Sequence, residues 1–146
     1  MAKIALIGCT KRKKDNACRA EELYSKSDLF CKELIYARHV LDVDAVYVLS
    51  AKHGLVSIDM VLEPYDETLN TAKVAQRRLW ANMVAGQIEE SFCQEDELWF
   101  LCGRRYREYL LPLIQEKGYV CHVALPQLAI GKLKNWLNTE IGKIEV

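Results

Sequence analysis

The sequence predicts an α/β fold: a three-layer α/β/α sandwich around a four-stranded, mainly parallel sheet. Three observations point there. Four short, nearly continuous apolar runs, at residues 3–8, 45–49, 98–102 and 119–125, have the character of strands buried on both faces. Stretches of helical periodicity separate them, and strands alternating with helices imply parallel neighbours joined by right-handed crossovers. The chain's 146 residues, 51% of them apolar, can bury one core without disulfides or metal, so a single domain over residues 1–146 is expected.

After the first strand, Ser27 or Asp28 is placed to cap a helix over 29–41, in which Phe30, Leu34, Ala37 and Leu41 fall near one face. The second strand follows at 45–49. Residues 53–70 then make a connection longer than the roughly 12–15 residues of a plain loop, the mark of a lid or binding loop, and its segment 63–69 is placed to fold over the sheet edge. A long helix over 71–92 carries an apolar stripe of Val74, Leu79, Met83, Val84 and Ile88, with Trp80 beside it. The third strand, at 98–102, leads into a helix over 106–116 that Gly118 ends. A last strand at 119–125 and a helix over 131–141, carrying Leu133, Trp136 and Leu137, complete the pattern.

Lys plus Arg and Asp plus Glu both number 20, so the overall balance gives no reason to expect a polyanion wrapped around the whole surface. Charge is instead local: residues 11–14 are all basic, 104–107 hold three arginines, and 89–97 are mostly acidic. None of the six cysteines forms a Cys-x-x-Cys pair, and several sit in apolar runs, which fits reduced thiols rather than disulfides or a zinc site. Neither a signal peptide nor a membrane span is expected, and a cytoplasmic location follows. The phosphate loop Gly-x-x-x-x-Gly-Lys-Ser/Thr and the dinucleotide fingerprint Gly-x-Gly-x-x-Gly are both absent, so neither ATP hydrolysis nor NAD binding is supported. No metal or other cofactor is expected.

Three apolar runs break into basic, small-residue loops, and in an open parallel sheet the loops at the strands' carboxyl ends line one crevice. In the first, Gly8 allows a close turn, Cys9 and Thr10 follow, and Lys11, Arg12, Lys13 and Lys14 concentrate positive charge; phosphate, carboxylate or plain solvent are all consistent partners. In the second, Ser50, Lys52 and His53 set a hydroxyl, an ammonium and an imidazole at one strand exit. There His53 is a candidate general acid or base, and Lys52 a candidate point charge for phosphate. In the third, Gly103, Arg104 and Arg105 open a helix where unpaired amides favour anions, although Arg105 and Arg107 pairing with Glu108 is an equally good account of those two. From the long connection, Asp66 is placed to orient His53 or act as a base, and Tyr65 to stack on a planar ligand with Tyr24; a turn built on Pro64 is the competing reading.

These segments resemble a domain-of-unknown-function family of bacterial and phage proteins. The resemblance rests on Gly8-Cys9-Thr10-Lys11-x-Lys13, Leu23-Tyr24 with Ser27 and Phe30, Ser50-Ala51-Lys52-His53-Gly54-Leu55, Pro64-Tyr65-Asp66-x-Thr68-Leu69, and Gly131-x-Leu133-x-x-Trp136-Leu137. It covers nearly the whole chain and implies no activity. The block Cys9-Thr10-x-x-Lys13 with Tyr24 and Ser27 is also similar to the Cys-Ser-x-x-Lys-Pro-Tyr-Ser segment of archaeosine synthase, which modifies a deazaguanine base in tRNA; here Lys14-Asp15 follows the lysine and the Tyr comes only at Tyr24. The layout further resembles uracil-DNA-glycosylase-like or flavodoxin-like α/β folds, with a sheet in order 2-1-3-4. The glycosylase motifs Asp-Pro-Tyr and His-Pro-Ser are missing, so that activity is not implied.

The expectation is an enzyme acting on a nucleobase, nucleoside or nucleotide. Lys11, Lys13 and Arg104 hold its anion, Lys52 and His53 flank the reacting centre, Asp66 partners His53, and Tyr24 and Tyr65 wall a planar ring. The rival is a non-catalytic nucleic-acid-binding module that uses the same basic edge.

Overall fold

The computed structural model describes residues 2–10 and 13–143. Along the chain run β1 (Lys3–Gly8), β2 (Cys18–Arg19), α1 (Ala20–Leu23), α2 (Asp28–Ile35) with a π-helical continuation (Tyr36–Val40), β3 (Ala45–Ser50), β4 (Gly54–Ser57) and β5 (Val61–Leu62). There follow α3 (Val74–Ser91), β6 (Glu97–Leu101), α4 (Arg104–Arg107), α5 (Leu110–Glu116), β7 (Val120–Val123) and α6 (Ile130–Gly142). The main sheet has five strands in the order β4-β3-β1-β6-β7. Its last four are parallel, with Ile4 beside Ala45 on one side of β1 and Ile7 beside Leu101 on the other, while β4 runs antiparallel to β3. The four expected strands thus stand in the order 2-1-3-4, and the sheet as a whole is mixed and one strand wider than expected.

The added strand comes from the segment read as a lid. Gly54 takes a φ of 76°, a left-handed conformation that turns the chain straight back along β3, and a Cβ there would lie 2.2 Å from the Gln87 side-chain oxygen. Farther along, Val61–Leu62 pairs with Cys18–Arg19 in a second, two-stranded sheet. The connection is therefore mostly hydrogen-bonded structure, and within its last part Tyr65 and Leu69 are buried while Asp66 is exposed.

β1 is buried from Ile4 to Gly8, and the inner residues of β3 and β6 join it in the core, as strands covered on both faces require. The helices pack in two groups, α2 with its π-helical turn and α6 in one, α3, α4 and α5 in the other. The chain steps from β1 to β3 and then crosses back past β1 to β6, and right-handed crossovers that reverse direction in this way put the two groups on opposite faces. Ser27 is the cap of α2, its side chain accepting from the Phe30 N–H at 3.2 Å.

Two helices depart from the sequence expectation. On α3 the buried face is Arg77, Trp80, Ala81, Val84, Ala85 and Ile88, whereas Val74, Leu79 and Met83 are exposed. Small alanines let the helix approach its neighbours on that face, and Arg77 tolerates burial because Glu108 meets its guanidinium at 2.9 Å. The helix expected over 106–116 is two pieces, broken at Glu108 and Tyr109. Pro112 explains the break: its ring opposes the carbonyl four residues earlier, that of Glu108, and it has no N–H to offer that carbonyl. All six cysteines are free, Cys9 and Cys102 buried and Cys93 exposed. Among the described residues no helix is long and apolar enough to cross a membrane.

Candidate functional site

β1 is the strand at which the connections reverse direction, and the loop leaving it parts from the loop leaving β6. Such a switch point opens a crevice at the carboxyl ends of the strands. A cavity of about 650 Å³ lies there. Gly8, Cys9 and Thr10 after β1 and Cys102 and Gly103 after β6 line its base; Arg104, Tyr106 and Arg107 come from α4. Leu29 and Glu33 of α2, the segment Leu125 to Leu128 after β7, and Ile130, Leu133 and Lys134 of α6 form the remaining walls, with Asn70 also contributing. Gly8 has to be bare, since a Cβ would lie 3.0 Å from the Cβ of Cys102.

Glu33 is the unusual group in this wall. It is 4% exposed, it lines the cavity, and among the described residues no hydrogen bond or ion pair reaches its carboxyl; burial holds its pKa well above the ordinary carboxylate range. Cys102 is within electrostatic reach of it, and burial pushes that thiol up to about 12. The cations of the cavity each face a protein group without being enclosed by it: Arg107 donates to the Cys102 carbonyl at 3.0 Å, Arg104 lies 3.8 Å from Glu108, and Lys134 lies 3.6 Å from Asp28. The α4 helix is a single turn, too short for a helix dipole to add much to those charges.

Beside the cavity, a group of buried hydroxyls ties the long connection to the sheet. Ser50 Oγ donates to Tyr65 Oη at 2.8 Å, Tyr65 and Tyr24 share a hydrogen bond between their hydroxyls, and Ser50 Oγ accepts from the His53 N–H at 3.0 Å. Cys9 joins the two regions: its Sγ accepts from the Ala51 N–H at 3.3 Å and lies 3.2 Å from Tyr106 Oη. Burial raises the Tyr24, Tyr65 and Tyr106 hydroxyls above their usual range, so these rings serve as neutral donors and acceptors. The Lys13 ammonium lies 4.4 Å over the Tyr65 ring, and burial lowers its pKa against the opposing pull of Cys9, Asp66 and Glu67.

The sequence-derived candidates divide accordingly. Cys9, Thr10, Gly103 and Arg104 meet at the cavity, whereas Lys13, Tyr24, Ser50 and Tyr65 belong to the adjoining hydroxyl group and Lys11 lies outside the described residues. Tyr24 is fully buried and Tyr65 nearly so, their rings packed edge to face at 6.5 Å, so they stand in the core rather than as free walls for a ligand. Lys52 and His53 are exposed on the turn into β4 and are not among the residues lining the cavity. The reason is the antiparallel hairpin, which carries that loop toward the edge of the sheet. The His53 ring packs edge-on against Tyr65 at 5.6 Å, and among the described residues no hydrogen bond links it to the exposed Asp66, whose charge acts on Lys13 instead.

Sequence reasoning missed Glu33 and the 125–128 wall. A signal existed for the first: Glu33 shares its helix face with Phe30, Leu34 and Ala37, and an acid inside an apolar stripe calls for a partner.

The profile of a family described as "Family of unknown function (DUF6884)" matches residues 4–139. No curated protein and no solved structure matches the chain. With nearly all of its length matched, the chain belongs to this family of unknown function, DUF6884.

Proposed function

We propose that the chain is an enzyme acting on a nucleobase, nucleoside or nucleotide held in the cavity between the ends of β1 and β6. The observation that carries the reading is the cavity's make-up at about 650 Å³, a volume within the roughly 300–1,000 Å³ of small-molecule sites. Leu29, Leu125, Leu128, Ile130 and Leu133 supply an apolar surface for a flat ring, and Arg104, Arg107 and Lys134 supply positive charge for an anionic group. Glu33 is the carboxyl in the wall, and burial raises its pKa, which favours the protonated form that a general acid needs. The nucleic-acid-binding alternative has less support. Tyr24 and Tyr65, expected as walls for a planar ring, are buried against each other and offer no free face to an unpaired base either.

Thermal-shift measurements against nucleobases, nucleosides, nucleotides and short single strands, at low and moderate salt, test the reading. The expected result is a shift confined to one small-molecule class, kept at moderate salt, reduced by Arg104→Ala, lost on blocking the cavity with Ile130→Trp, and untouched by His53→Ala. Chromatography of the binding compound after incubation is expected to show turnover. A shift with polynucleotides alone that vanishes with salt, or full binding by Ile130→Trp, overturns the assignment; a compound returned unchanged removes the enzymatic part.

A further inference from the structure

The cavity poses a chemical question that its own walls do not answer. Glu33 is 4% exposed and opens onto the cavity, yet among the described residues nothing hydrogen-bonds or pairs with its carboxyl. Buried polar groups in native proteins nearly always have partners, and the Glu33 oxygens are not among the enclosed atoms left without one, so they face the open space of the cavity, where a ligand's polar atoms can meet them. The nearby cations do not neutralise it, because Arg107, Arg104 and Lys134 face the Cys102 carbonyl, Glu108 and Asp28. Their charge also makes the cavity a poor home for a cationic ligand.

We propose that Glu33 reads a flat ring edge that offers one hydrogen-bond donor and one acceptor side by side, as a cyclic amide or amidine does. This rests on the reading of the cavity given above and deepens it. A protonated carboxyl presents one O–H donor beside one carbonyl acceptor in a single plane, so such an edge satisfies both atoms with two parallel hydrogen bonds. An edge made only of donors, or an ammonium group, would instead require the ionised carboxylate in a buried wall where, among the described residues, no cation pairs with it, which is the costlier state. Adenine, cytosine, uracil and hypoxanthine all carry a donor–acceptor edge, and Leu29 and Leu133 of the same cavity lining supply apolar surface for the ring.

Calorimetric titration of the full chain with these four bases and their nucleosides is the test, on wild type, Glu33→Gln and Glu33→Leu, each checked for folding by far-UV circular dichroism. Glutamine also presents a donor beside an acceptor, so Glu33→Gln is expected to bind within about threefold of wild type, while Glu33→Leu loses at least tenfold, about 1.4 kcal/mol. Methylating the ring nitrogen of that edge is expected to abolish wild-type binding. If a base binds wild type and Glu33→Leu equally, the inference is overturned and the cavity assignment stands. If Glu33→Gln loses as much as Glu33→Leu, the partner is a cation or a donor-only edge and the inference also fails. If none of the compounds binds wild type, the cavity assignment and this inference fail together.

Discussion

Replacing Gly8 by alanine tests the close approach of β1 and β6 that shapes the base of the cavity. The new methyl would lie 3.0 Å from Cys102 Cβ and 3.5 Å from Cys102 Cα. Carbon atoms rest about 3.5–4.0 Å apart, so the strands would have to part by a few tenths of an ångström. They are neighbours in parallel register, Ile7 beside Leu101, and the obstructing atom is a Cβ fixed to the backbone rather than the end of a flexible side chain. Overpacking of this kind costs about 1–3 kcal/mol, and with no rotamer available to relieve it the expected cost is about 2 kcal/mol. Urea unfolding followed by circular dichroism measures it. Cys102→Gly removes the obstructing Cβ and Cys102→Ala keeps it, so a double-mutant cycle should show about 1–2 kcal/mol of compensation for the Gly8→Ala and Cys102→Gly pair, and less than about 0.5 kcal/mol for the alanine pair. A Gly8→Ala cost below about 0.5 kcal/mol, or equal relief from both substitutions at Cys102, would refute the reasoning.

Glu33 should also impress a pH dependence on stability. The unfolded carboxyl ionises near its ordinary 4.5 while the folded one keeps its proton to higher pH, so stability is fully present below about 4.5 and is lost as pH rises, by about 1.4 kcal/mol per unit until the folded pKa is passed. Glu33→Gln is expected to flatten that slope and gain on wild type as pH increases from 4.5 to 8; parallel urea-midpoint curves for the two proteins would contradict it. Tyr65→Phe removes the acceptor of Ser50 Oγ and the hydroxyl partner of Tyr24, both buried, and should cost about 1–3 kcal/mol in the same unfolding assay. A loss under about 0.5 kcal/mol would show that these hydroxyls are satisfied another way.

The sheet was legible because a strand covered on both faces, as β1 is, must be apolar throughout, and the runs around residues 3–8, 45–49, 98–102 and 119–125 coincide with β1, β3, β6 and β7; β7 departs from the expected double burial, since it stands at the sheet edge with Val120 and Val123 exposed. Cys9, Thr10, Gly103 and Arg104 were legible for a related reason: strand ends in a parallel sheet converge, so their loops can be grouped before any side chain is placed. The same logic misplaced Lys52 and His53, because whether a strand exit feeds the crevice or a hairpin depends on where the chain next pairs, and Gly54 sends it back along β3. It misread α3, where apolar Leu79 and Met83 face solvent and Arg77 faces the core, since a charge can be buried when a distant residue, here Glu108, arrives to meet it. Glu33 shows the division most clearly. Its place on the apolar side of α2 is written in local periodicity, which follows from helix geometry alone; its lack of a partner among the described residues and its opening onto a cavity depend on β1, β6 and α6 arriving from far along the chain, and no local pattern encodes where they come to rest.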